Sequence, residues 1–268
     1  MAITNPVSKT AYYCGGVGMQ DAQSARPLVG DRYAEPFLGD EGKQVFNLFR
    51  DFRYPNGSNL TRCHLIDQLV QANLSVTPQR RVILVGAGFD SRAFRLSYGR
   101  WIEIDEAGII ARKEAIAPAR NAPNPLQRIA IDFARVNLAS VLAPFATREQ
   151  VIVIVEGVLM YLEQTQIEQL VRALGRVFPN HLLICDLMQR RFFTKFSGPI
   201  HEVIKSLGAR FRWTVDDPEQ RIAAMGYRVI ERISIALRAA ELRRIPHPRV
   251  RGALADTGAA RWLWGLCV

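Results

Sequence analysis

The run Val82-Ile83-Leu84-Val85-Gly86-Ala87-Gly88-Phe89-Asp90 constrains the fold more than any other stretch of the chain. Four consecutive aliphatic residues show no polar alternation, which is the pattern of a parallel strand buried on both faces. The glycines that follow let the backbone turn tightly and approach a ligand without a Cβ in the way. A strand running into such a turn and then a helix opens an α/β sheet, whose ligands sit beyond the carboxyl ends of the strands. Packing alone also places glycines in strand-to-helix turns, so the turn by itself fixes no chemistry.

The rest of the chain extends this unit. Further short runs at Trp101 to Ile104, Leu126 to Ile131, Val151 to Val155 and His181 to Cys185 alternate with helical patterns, among them Gln164 to Val177. Strands alternating with helices imply right-handed crossovers and a parallel sheet. After Asp186 the alternation stops for roughly 40 residues and then resumes with a helix near Asp217 to Met225. Strands over Tyr227 to Ile235 and Trp262 to Val268 follow, predicting seven strands with an antiparallel pair finishing the sheet. The first 77 residues read as mostly helical. Asn59 is the expected N-cap of a helix through Leu60, Leu65, Ile66, Leu69 and Val70, and Pro78 closes it.

Composition narrows the class of protein. The chain has 268 residues, 49% hydrophobic and 22% charged, enough for a packed core rather than disorder. No run of about 18 apolar residues spans a bilayer, and Met1 to Lys9 lacks a signal-peptide core. Cys14, Cys63, Cys185 and Cys267 form no Cys-x-x-Cys pair. Free thiols in a cytoplasmic protein, without a metal site, are therefore expected. The net charge of +10 comes from 35 basic residues, only five of them lysines. Acidic residues interrupt the arginine-rich region after Arg190, which argues against a nucleic-acid stripe.

The chemistry sits at the strand ends. A dinucleotide fingerprint needs glycine at position 91, where this chain has Ser91, and Asp90 adds a negative charge that would repel a pyrophosphate. A sulfonium or an amino group would not be repelled, which favours S-adenosylmethionine over a nicotinamide. Asp105, nineteen residues after Gly86, ends the second strand. It can accept both hydroxyls of a ribose or cap the following helix, with Glu103 a bystander. Asp132-Phe133 after the third strand suits an adenine as well as it suits an ordinary turn. Glu156 follows five buried aliphatic residues and so needs a donor or a cation, either a cofactor's cationic end or Arg62 or Arg92. No nucleophile elbow, Walker loop or metal cluster is present.

Ser8-Lys9-Thr10, Arg62, Val85 to Arg92, Glu103-Ile104-Asp105 and Glu156-Gly157-Val158-Leu159-Met160-Tyr161 together resemble the leucine carboxyl methyltransferase family, including its bacterial polyketide-type carboxyl O-methyltransferases. The resemblance runs from about Lys9 to Asp186; beyond it the acceptor-binding region matches little. It implies a Rossmann-like class I methyltransferase fold, with residues 1–78 as a helical cap and 79–268 as the core, carrying an acceptor lid at about 187–215. It further implies that Lys9 and Arg62 hold the carboxylate of S-adenosylmethionine and that Gly86, Gly88 and Asp90 line its methionine side. Asp105 would take the ribose, Asp132 and Phe133 the adenine, and Glu156 the amino group.

The implied reaction is O-methylation of a small-molecule carboxylate, leaving S-adenosylhomocysteine. A carboxylate is already ionised at pH 7, so no general base is required. Tyr161 and His201 are candidates for acceptor contact, and His247 lies in the same late region. A phenolic acceptor would need such a base. An RNA methyltransferase, a non-catalytic S-adenosylmethionine-binding protein and a nicotinamide oxidoreductase are the competing readings.

Overall fold

The computed structural model describes residues 3–245 and 263–267. Seven strands, β1 (Arg81–Val85), β2 (Arg100–Asp105), β3 (Leu126–Ala130), β4 (Val151–Val155), β5 (His181–Asp186), β6 (Arg228–Ile233) and β7 (Leu263–Cys267), form one sheet in the order β3-β2-β1-β4-β5-β7-β6. The first five are parallel, and β7 slots antiparallel between β5 and β6. The chain runs outward from β1 to β3 and then returns to β4 beside β1. The topological switch point, where a crevice opens in such sheets, therefore lies at the carboxyl ends of β1 and β4.

The unbroken apolar runs have a plain cause. Val82 and Leu84 of β1, with Ile152 and Ile154 of β4, pack into one core, whereas Ile83, Val85, Val151, Val153 and Val155 pack into the other. A period-2 strand needs apolar residues at every position when both faces are covered. The short α1 (Pro6–Lys9) leads into three N-terminal helices, α2 (Ala11–Ala22), α3 (Ala34–Asn47) and α4 (Arg53–Val76), which share the first core. Between the strands lie α5 (Arg92–Arg95), α6 (Ala107–Ile116), α7 (Leu138–Leu142) and α8 (Gln164–Val177). Helix α8 covers the second core with Ile167, Leu170, Val171, Leu174 and Val177, one face of a 3.6-residue repeat. The reciprocal Glu163–Gln166 capping box starts it.

After β5 come α9 (Arg190–Phe196), α10 (Gly198–Ser206) and α11 (Pro218–Ala224), and after β6 comes α12 (Ile235–Glu241). The expected irregular stretch after Asp186 thus contains two helices. Two other expectations are corrected. Helix α4 begins at Arg53, so Asn59 is interior and not its N-cap; its amide donates to Cys14 Sγ at 3.2 Å. Pro55 obscured that start, although a proline in a first turn interrupts no helical hydrogen bond. Strand β6 stops at Ile233, because Ser234 caps the unforeseen α12 by accepting from Leu237 N at 3.2 Å. Residues 262 and 268 of the expected last strand, and His247, lie outside the described residues.

Glu103 proves to be structural. Its side chain is fully buried and pairs with Lys113 at 2.7 Å and Arg128 at 2.9 Å, tying β2 to α6 and β3. Among the described residues no helix is long and apolar enough to cross a membrane.

Candidate cofactor and acceptor site

The turn after β1 requires its glycines. Gly86 has φ of 74° and Gly88 has φ of 49°, in the left-handed region. A Cβ on Gly86 would also come within 2.5 Å of Val158 Cγ2. The Gly86 and Ala87 N–H groups donate to Ile104 O at 2.9 and 3.1 Å, fixing the turn against β2. Asp105 then closes it, accepting from Gly88 N and Glu106 N at 2.6 Å each. Helix α6 starts with Glu106 as N-cap and no side-chain cap bond. The Asp105 carboxylate therefore bridges the glycine turn and the residue that opens α6, without capping the helix's own N–H groups. Burial pushes its pKa up to about 6, although both backbone N–H bonds pull it down.

A charge cluster fills the crevice beside this turn. Glu156 accepts from Arg62 Nε and from an Arg92 terminal nitrogen, both at 2.9 Å. Arg62 also donates to Asp186 at 2.9 Å, and Asp186 accepts from Gly157 N at 2.6 Å. Arg92, 1% exposed, pairs in addition with Asp67 at 2.6 Å and with Asp90, and it donates to Cys63 O at 3.2 Å. Arg95 pairs with Asp67 at 2.7 Å and more distantly with Asp31 at 3.8 Å. Burial pushes the Glu156 carboxyl up, but Arg92 and Arg62 outweigh it and hold the group below its usual range. Burial wins at Asp90, whose pKa is raised despite Arg92. Arg62, Arg92 and Arg95 face Asp67, Asp90, Glu156, Asp186 and Asp31, so carboxylates exceed guanidinium groups. Such a set fits a ligand with a cationic end, as the ammonium and sulfonium of S-adenosylmethionine provide, and it opposes a pyrophosphate.

Two cavities meet at this cluster. One, of about 130 Å³, is lined by Gly86, Gly88, Asp90, Arg92 and Glu156. The other, of about 720 Å³, is walled mainly by apolar and aromatic side chains, including Tyr13, Met160, Tyr161, Phe192, Ile200 and Phe211. Cys14, Asn59 and Arg62 line both. The structure thus brings Arg62, Gly86, Gly88, Asp90 and Glu156 together, with Tyr161 in the larger cavity. Asp105 lies behind the glycine turn, buried and bonded to Gly88 N, and lines neither cavity. The structure leaves Lys9, half-buried at the end of α1, lining neither cavity. Asp132 also lines neither; it accepts from Ala134 N at 2.9 Å and pairs with Arg135 at 3.3 Å near the surface. Phe133 is 41% exposed, and its backbone N–H meets the Glu106 carboxyl. His201 is packed away from the cavity between Phe193 and Phe211, and its Nε2 accepts from Phe211 N at 3.0 Å. Asp186 and Tyr13 were missed. Asp186 ends an apolar strand just as Glu156 does, so the same sequence signal could have found it.

The family model for leucine carboxyl methyltransferase matches residues 16–175, more than half of the chain. The chain belongs to this family. The methyltransferase is 24% identical over 218 residues to the tetracenomycin polyketide synthesis O-methyltransferase TcmP of Streptomyces glaucescens, covering 77% of this chain and 76% of that one. A Frankia alni chain described as an S-adenosyl-L-methionine-dependent methyltransferase is 29% identical over 194 residues, with 66% and 67% covered. Among solved structures, a family protein of unknown function from Streptomyces avermitilis superposes with a TM-score of 0.62 at 10% identity, over 94% of this chain and 96% of that one. The magnesium protoporphyrin IX methyltransferase of Synechocystis, solved with bound S-adenosylhomocysteine, gives 0.51 at 13% identity, over 86% and 96%. These last two show the shared fold. The methyltransferase is accordingly an S-adenosylmethionine-dependent enzyme.

Proposed function

We propose that this methyltransferase O-methylates the carboxylate of an apolar, polyketide-like small molecule. The observation that carries this reading is the cavity of about 720 Å³ reaching Arg62 and Asp186, with no histidine in its lining among the described residues. Bound S-adenosylmethionine supplies a methyl group on a sulfonium, which an ionised carboxylate can take without first losing a proton. The chain's own part is then to position and to exclude water. Gly86 and Gly88 bring the backbone close to the methionine portion, Asp105 receives the ribose, and Arg62 and Glu156 take the carboxylate and the amino group. Lys9 and Asp132-Phe133 complete the cofactor site from its edges. Residues 1–78 form a cap over the core of 79–268, and 187–215 form the acceptor lid, in keeping with Phe192 and Ile200 in the cavity wall. We place the enzyme in the cytoplasm.

The test is the bond made. Incubation with methyl-labelled S-adenosylmethionine and a panel of fused-ring carboxylic acids and phenols is expected to give an alkali-labile ester. An alkali-stable ether would overturn the carboxylate reading.

A pH dependence follows from Asp105. Its pKa of about 6 lies above the unfolded value, so in the free protein it adds stability at low pH, lost as pH rises through about 6. Ribose hydroxyls donate to the ionised form, so cofactor affinity runs the opposite way. S-adenosylhomocysteine binding is expected to weaken below about pH 6, approaching tenfold per pH unit. Asp105→Asn should flatten the calorimetric profile. A wild-type profile that is already flat would remove Asp105 from the ribose.

A further inference from the structure

The larger cavity contains a polar group to which the reading so far gives no task. Tyr13 on α2 is 8% exposed and packs its ring against Phe49, with centroids 4.6 Å apart. It lines the cavity next to Cys14, near Arg62 and Tyr161. Among the described residues no protein group hydrogen-bonds its hydroxyl, and that atom is not sealed off from the cavity. A phenol hydroxyl that lines a cavity and has no protein partner is free to donate to a ligand placed there. The charged groups at this end are already paired with one another. Arg62 is neutralised by Glu156 and Asp186, and Asp186 also accepts from Gly157 N.

We infer that the Tyr13 hydroxyl is the acceptor-binding donor of the large cavity, holding one oxygen of the substrate carboxylate while the other is methylated. The inference rests on the proposed carboxyl methylation. A neutral donor suits this place for two reasons. It adds no charge to a cluster already rich in ionised groups, and it polarises a carboxylate less than a guanidinium would, leaving the free oxygen nucleophilic. Burial holds the phenol pKa well above its ordinary value, so the group stays protonated through the working range. The ring, fixed against Phe49, points the donor with little entropy to lose. The ligand class that fits is therefore an aromatic or alicyclic acid whose carboxyl reaches the Arg62 end of the cavity while its apolar body lies against Phe192, Ile200 and Phe211.

The experiment compares wild type and Tyr13→Phe, both full-length and saturated with S-adenosylhomocysteine, by calorimetry with two probes, anthraquinone-2-carboxylate and 2-methylanthraquinone. Phenylalanine keeps the ring contact with Phe49. Wild type is expected to bind the acid at least tenfold more tightly than the hydrocarbon analogue, and the variant to lose roughly ten- to a hundredfold for the acid alone, as for a hydrogen bond to a charged group. Equal losses for both probes, no loss for the acid, or no preference for the acid in wild type would each overturn the assignment. Ester formation separates the two ideas. Tyr13-dependent acid binding without an alkali-labile ester removes carboxyl methylation and keeps the site. Ester formed at an unchanged rate by Tyr13→Phe keeps carboxyl methylation and removes the role of Tyr13.

Discussion

Replacing Arg92 with glutamine is expected to lower the stability of this methyltransferase by about 3–5 kcal/mol, the cost of breaking a buried ion pair by deleting one partner. Arg92 is 1% exposed and meets carboxylates from three separate parts of the fold: Asp67 of α4, Asp90 of the glycine turn and Glu156 beyond β4. Removing it does not affect them equally. Asp67 retains Arg95, and Glu156 retains Arg62, but Asp90 is left without a cation among its described ion pairs. Its pKa, already raised by burial, should rise further. A raised folded pKa contributes stability below the unfolded value and loses it as pH climbs through the folded one. The deficit of Arg92→Gln in urea midpoint should therefore be larger near about pH 8 than near about pH 5. Lysine at this position should recover only part of the loss, since one ammonium cannot reproduce the fork that reaches several acceptors. A glutamine variant within about 1 kcal/mol of wild type, at the level of an ordinary surface substitution, would show that Arg92 does not clamp α4 to the glycine turn.

The contrast between what the sequence disclosed and what it hid has a physical origin in range. Strand patterns are local. Val82 to Val85 and Val151 to Val155 must be apolar at every position because both faces are covered, and this is visible without knowing the neighbours. The glycine turn, Asp105 and Glu156 were legible for the same reason, each standing directly at a strand's carboxyl end. Their partners were not. Arg62 and Glu156 are 94 residues apart, and only the return of the chain from β3 to β4 brings α4 over the switch point. Either arginine alone was a reasonable partner for Glu156, and the structure uses both. Tyr13 carries no motif; its interest comes from a missing hydrogen bond, which no sequence displays. Lys9 rested on resemblance alone and Asp132-Phe133 on an ambiguous turn, and none of the three lines either described cavity. Asn59 shows the opposite failure, where a good capping residue was overridden by a helix that starts earlier at Arg53.

Glu156→Gln is expected to separate binding from folding, which Arg92→Gln cannot do. Glutamine keeps the shape of the side chain and removes one negative charge from a cluster in which carboxylates outnumber guanidinium groups. Arg62 keeps Asp186 at 2.9 Å and Arg92 keeps Asp67 at 2.6 Å, so neither cation is stranded. Stability should therefore change by no more than about 1 kcal/mol, because no buried charge is left unpaired. The affinity for S-adenosylhomocysteine should change much more. Its ammonium would lose an ionic partner in a site shielded from water, a change that costs about 2–5 kcal/mol for buried charged contacts. A loss of at least about a hundredfold in calorimetric Kd is expected, since each 1.4 kcal/mol is a factor of ten. The same affinity in wild type and Glu156→Gln would mean that the carboxylate serves only to tie Arg62 to Arg92, and that the cationic end of the cofactor is met by Asp90 or Asp186 instead.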